Sequence, residues 1–300
     1  MPSRSFAHLR PGLDRIYESF NRSGRIADPI ERVRPFADPA DREIAAFLAA
    51  GLAFGRVASI VASIDRVFAA MGPSPAAFVR GFDPDRDRAA LGGCVHRWVG
   101  PDDLAAVCVI LRHMLETSGS LEAFFLAADD GESVDVGPAL ERFSARAREV
   151  PLSCLYGRVP ASPGVHTFFS RPSTGSACKR LNLFLRWMVR TDGVDLGTWR
   201  RMSPARLVVP LDVHVIRVSQ CLGLTRYRSP GWRMAADITA SLRTVDPDDP
   251  VRYDFALCHI GMLGLCGFRT EAADSRCPMR GACRPHARRR PASRRPSAGR

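Results

Sequence analysis

Apolar residues along this chain recur at spacings of three and four, the period that gathers side chains on one face of an α-helix. After Asp41-Arg-Glu43, the residues Ile44, Phe47, Leu48, Leu52, Val57, Ile60, Val61, Ile64 and Val67 form a long stripe that runs out near Gly72-Pro73. That stripe predicts a core helix bent at Gly51 or Gly55. Leu104, Val107, Val109, Leu111 and Leu115 predict a helix over 102–117, and 138–149 reads as a shorter one before Pro151. Ser176 is placed to cap a helix through Arg190 that buries Leu181, Phe184, Leu185 and Met188 and stops at Asp192-Gly193. Pro210-Leu-Asp212 opens a further helix that ends at Gly223, with Asp212 at or near its cap. Two more are predicted from Trp232 to Leu242 and from Val251 to about Leu263, while 83–93 and 129–137 read as loops. Alternating strands joined by a tight turn are not found, nor is an internal repeat, so the expected fold class is all-α.

Composition adds a partner. The chain has 300 residues, 46% of them hydrophobic and 25% charged, enough for one large or two modest cores. The longest apolar stretch, 44–54, falls well short of the ~20 residues that span a bilayer. No export-type apolar segment follows Met1, so the expectation is a cytoplasmic protein, a monomer, without membrane association. Nine cysteines, an odd number, then read as reduced thiols rather than a disulfide framework. The formal charge of +12 points to a polyanion, nucleic acid first. Part of it lies in 287–300, read as a disordered basic tail that either grips phosphates non-specifically or is merely solvated, which leaves 1–286 as the folded region.

The candidate chemistry starts from a scarcity. Of 43 Lys plus Arg, one is a lysine, Lys179. Guanidinium stays protonated and is a poor nucleophile, whereas an amine can lose its proton and attack carbon. Lys179 falls in the first turn of its predicted helix and Asp212 at the start of another, 33 positions on. If the two converge, an amine beside a carboxylate suits attack on an acetal-like carbon and a Schiff-base intermediate. The plainer readings are a chance survivor for Lys179 and an ordinary cap for Asp212.

Val209-Pro-Leu-Asp-Val-His-Val-Ile-Arg217, with Leu222-Gly223 after it, resembles the segment of the helix-hairpin-helix DNA glycosylases in which Val-Asp-Thr-His-Val is followed by Arg and later Leu-Gly. The resemblance implies a two-lobed helical fold, Asp212 as catalytic aspartate, and Lys179 as the nucleophile that attacks C1′ of a damaged nucleotide flipped out of double-stranded DNA. Loss of the base would leave a Schiff base that hydrolyses or eliminates the 3′ phosphate. Gly175 and Ser176 would belong to the DNA-gripping hairpin, although Pro172-Ser-Thr-Gly-Ser-Ala-Cys-Lys179 holds one Gly where the family has a Gly-rich turn. Arg186, Trp187, Arg190, His214 and Arg217 are further candidates for the DNA-binding surface, with Trp187 also readable as core and His214 as a cap-region side chain. From Asp28-Pro29 and Leu52-Ala-Phe-Gly-Arg56 to Tyr253-Asp-Phe-Ala-Leu257 the chain also resembles a family of microbial conserved hypothetical proteins, which names no activity.

The same glycosylases end in four cysteines around an iron-sulfur cluster, the last three spaced Cys-x2-Cys-x5-Cys. Here Cys277-x5-Cys283 matches the last pair, Cys266 could be the first ligand, and Asp274 stands at the second. The resemblance therefore implies a 4Fe-4S or altered cluster, with Cys258 as a substitute ligand; zinc or a metal-free remnant are the alternatives, because a carboxylate is a harder ligand than thiolate. Against the glycosylase stand two other readings: a non-catalytic nucleic-acid-binding protein on the same scaffold, and a Schiff-base enzyme acting on a small carbonyl compound.

Overall fold

In a computed structural model, residues 5–22, 24, 28–156, 164–266 and 277–280 are described below. Among them the chain forms twelve α-helices: α1 (Arg10–Phe20), α2 (Pro39–Gly51), α3 (Val57–Met71), α4 (Pro75–Arg80), α5 (Pro84–Asp87), α6 (Pro101–Ser118), α7 (Leu121–Leu126), α8 (Gly137–Arg148), α9 (Lys179–Val189), α10 (Val213–Leu222), α11 (Trp232–Arg243) and α12 (Asp254–Met262). Extended pairing among these residues is limited to two isolated bridges, His96 with Val99 and Thr191 with Leu196. The fold is all-α.

Local chemistry sets most of the boundaries. Asp38, Ser74, Asp83, Ser120 and Asp212 each accept backbone N–H bonds at the start of α2, α4, α5, α7 and α10, meeting donors that a helix leaves unpaired in its first turn. Gly72 and Gly223 end α3 and α10 with φ of 74° and 71°, as expected of helix stops.

The departures from the predicted elements have local causes. The long stripe over 44–67 is two helices, because the chain breaks over 52–56, with Gly55 at φ 108°. Hydrophobic period alone does not register such a break when both pieces face the same core. The helix carrying Lys179 starts at Lys179 itself, with Cys178 as its cap in the left-handed region (φ 47°, ψ 35°). Ser176 instead accepts a bond from the Cys178 N–H (3.1 Å). The expected loop over 83–93 contains α5 and a 3-10 turn at Arg88–Leu91. Helices α1, α4 and α7 were not predicted; the last two span six residues each, too few for a period to stand out.

The buried apolar side chains form one connected core from Phe6 to Met279. Helix α2 packs on α9, and α12 packs on both α1 and α10. These contacts bring the 52–56 connection opposite the N-termini of α9, α10 and α12.

Candidate active site

Lys179 is the first residue of α9 and Asp212 the N-cap of α10. The packing just described sets Lys179 Nζ 3.8 Å from Asp212 Oδ2. The two side chains are 34% and 17% exposed, so a ligand can reach them while most bulk water is kept away. This separation is an ion-pair distance, about 0.6 Å beyond hydrogen-bond reach, a gap that one side-chain adjustment closes.

The two oxygens of Asp212 have separate tasks. Oδ1 accepts from the backbone N–H of His214 (2.8 Å) and Val215 (2.9 Å), which locks the carboxylate plane. Oδ2 faces Lys179 and accepts from the thiol of Cys258 on α12 (3.2 Å). Burial, followed by the negative charges of Asp212 and Asp254, pushes the Cys258 thiol well above its ordinary value. It therefore serves as a neutral donor, since the thiolate is the form that attacks. In this cluster Lys179 is the side chain suited to nucleophilic attack.

Both residues line a cavity of about 160 Å³ walled by Phe54, Val57, Leu183, Trp187, Phe255 and Met262, with Asp254 and His214 also on its surface. That volume is on the order of the ~150 Å³ apolar cavity that takes up benzene, so it suits one planar ring system. The Asp254 carboxyl is pushed up to about 6, first by burial and then by the charge of Asp212, against the pull of Arg186. Its Oδ2 accepts from Arg186 (2.5 Å), while Oδ1 has no partner among the described residues.

The structure sorts the other candidates. Arg186 and Arg190 are buried inside the fold rather than on a DNA-binding surface; Arg186 borders the cavity, and Arg190 does not. Arg186 pairs with Asp195 (3.1 Å) and Asp254, and Arg190 with Asp192, Asp195 and Asp249. Burying a guanidinium is tolerable only when it is so paired, and four carboxylates occupy these two. Trp187 is fully buried in the core, yet its ring reaches the cavity and its Nε1 is unpartnered among the described residues. His214 also borders the cavity with an unpartnered Nδ1. Arg217 is exposed on α10 and is not part of the cavity wall. Gly175, at φ 80°, ends a 3-10 turn over Pro172–Thr174, so a compact turn does precede the lysine helix. Sequence reading named Cys258 only as a substitute cluster ligand, not as a partner of Asp212, and missed Asp254. Asp254 and Cys258 lie four apart on one face of α12, but only the packing of that helix on α10 gives the face a meaning.

Of the proposed cluster ligands, Cys266 is half-buried and Cys277 buried, while Asp274 and Cys283 lie outside the described residues, as does the 287–300 tail. Groups of three or more metal-ligating side chains do not occur among the described residues. Cys258, the substitute ligand, has its thiol directed to Asp212 instead.

An all-helical scaffold that sets one lysine against a helix-capping aspartate at a ring-sized cavity defines a class of site suited to amine chemistry. Residues 28–263 match the family described as "Protein of unknown function (DUF2400)", and the chain belongs to that family. No curated protein and no solved structure matches it.

Proposed function

We propose that this protein is a lysine-dependent DNA glycosylase that excises a damaged base, with strand cleavage as a second activity. The reading is carried by one observation: the chain's sole lysine stands 3.8 Å from a locked carboxylate at the edge of a cavity sized for a ring. The +12 charge and the resemblance around Asp212 support a nucleic-acid substrate.

In this reaction the target nucleotide leaves the helical stack, because its C1′ is out of reach within a duplex. Lys179, its proton passed to Asp212, attacks C1′. The bond from C1′ to the base nitrogen breaks, and the base departs with the electron pair and takes up a proton. Asp254, with its carboxyl near 6, is the cavity acid placed to supply that proton. The nitrogen now bonded to C1′ loses a second proton to water. Asp212 gives the proton it took to O4′ as the C1′–O4′ bond breaks, and the ring opens to a protonated Schiff base whose positive charge the Asp212 carboxylate balances. Water either hydrolyses it, or loss of a C2′ proton expels the 3′ phosphate and cuts the strand.

The test uses duplexes carrying 8-oxoguanine, uracil, thymine glycol or an abasic site, incubated with the protein and borohydride. A reduced adduct mapping to Lys179 and absent from Lys179→Gln is the expected result, and Asp212→Asn should slow its formation by about 10²–10⁴-fold. If no substrate gives an adduct while salt-sensitive binding survives in Lys179→Gln, the reaction is excluded and the protein is a nucleic-acid binder.

A further inference from the structure

Beside the Lys179–Asp212 cavity lies a second one of about 240 Å³, walled by Phe54, Trp98, Ser176, Lys179 and Arg180 among others. Lys179 and Phe54 belong to both cavities, so the amine stands at their shared edge. The conspicuous wall is Trp98, whose side chain is 59% exposed although Trp is the largest apolar residue of the chain.

Trp98 is held rigidly for an exposed residue. It sits in a two-residue turn closed by reciprocal backbone bonds between His96 and Val99 (2.9 Å each), with Arg97 at φ 55°. The base of the turn is fixed from below. His96 is buried; its Nε2 donates to the Phe54 carbonyl (2.8 Å), and its Nδ1 lies 3.0 Å from Ser63 Oγ. The indole stacks on the Phe54 ring at 4.5 Å and 24°. A non-glycine residue at positive φ and an indole left largely exposed both cost free energy.

The surroundings are cationic. The Arg97 guanidinium lies 5.2 Å from the Trp98 ring centre and that of Arg180 5.1 Å from Phe54. Arg180 bonds to the carbonyls of Gly51 and Thr167, and burial lowers it to about 10. Among the described residues, Arg56 and Arg97 are exposed and held in no ion pair. An uncovered indole set among cations next to a sugar-reactive amine matches a base attached to its phosphates, because every base offers a π-face and every linkage an anion.

We infer that the Phe54–Trp98 stack is a platform for a second nucleobase, the neighbour in the DNA of the nucleotide presented to Lys179. The inference rests on the glycosylase reading and extends it: the protein holds two bases, one in the ring-sized cavity and one stacked on Trp98.

The probe is a duplex with a stable abasic analogue, titrated into the full chain while tryptophan emission is followed. Trp187 and Trp199 are fully buried and Trp232 is half-buried, so quenching by a stacked base reports chiefly on Trp98. The expected result is quenching in the wild type, and about tenfold or greater loss of affinity in Trp98→Ala, with Trp98→Tyr close to wild type. The chemistry is tested separately on a duplex with a natural abasic site, where Lys179→Gln should form no borohydride adduct. If Trp98→Ala binds as tightly as the wild type, the platform is refuted and the glycosylase reading stands. If the wild type binds no duplex, both fall.

Discussion

Asp212 carries two roles that would usually be separated. As a cap it contributes about 1 kcal/mol to α10, an effect that Ser or Asn could supply equally well. What those residues could not supply is Oδ2, a second negative oxygen held between the Cys258 thiol and the Lys179 amine. The thiol is the adjustable partner, a donor that holds Oδ2 in place. Cys258→Ala, which removes that donor, should slow adduct formation about 3–10-fold, and Cys258→Ser, which keeps a donor, should restore it. A rate unmoved by alanine would remove Cys258 from the site's chemistry. In the sequence, Lys179 and Asp212 stood out by rarity and by helix-start position. Cys258 stood out only as a substitute cluster ligand, because nothing local ties a cysteine four residues after a helix-start aspartate to a carboxylate on another helix.

Among the elements, the site depends on how closely α12 approaches the start of α10. A Cβ on Gly261 would lie 2.7 Å from His214 Cβ and 3.1 Å from His214 Cα, so only a glycine permits the contact that sets Cys258 against Asp212. Gly261→Ala should lower stability by about 1–3 kcal/mol, the usual cost of overpacking. It should also part the two helices enough for Cys258 to be alkylated faster, which a melting curve and a thiol-labelling time course would measure together. A variant that melts and labels like the wild type would show that the approach has slack. Helix positions were largely legible in the sequence, because caps and stops such as Asp212 and Gly223 act through their own neighbours. The approach of α12 to α10 was not, because a glycine inside a helix looks the same whether it faces solvent or another backbone.

On the scale of the whole molecule, Arg186 and Arg190 tie α9 to the loops at 192–195 and 246–249 and to the start of α12. Two guanidiniums meet four carboxylates in this cluster, and Asp254 is left with a carboxyl near 6. An unfolded aspartate titrates near ~3.9. Between these values the native state holds a proton that the unfolded chain has lost, so this group's contribution is present at low pH and disappears as pH rises through 6. Asp254→Asn should remove a dependence on the order of 3 kcal/mol between pH 4 and 7, seen as a flatter difference in denaturation midpoints against the wild type. An unchanged difference across that range would mean that Arg186 keeps Asp254 ionised throughout.

The sequence by itself determined the all-α class, most helix boundaries, the basic charge and the two residues on which the proposed chemistry turns, because each depends on local period, local capping or simple rarity. Tertiary structure decided the rest. It joined Lys179 to Asp212, turned Arg186 and Arg190 inward, brought Cys258 and Asp254 to the cavity and left Trp98 uncovered beside it. These are relations between side chains far apart along the chain, created by the packing of α2 on α9 and of α12 on α10, and no spacing along one strand of residues encodes how two helices will face each other.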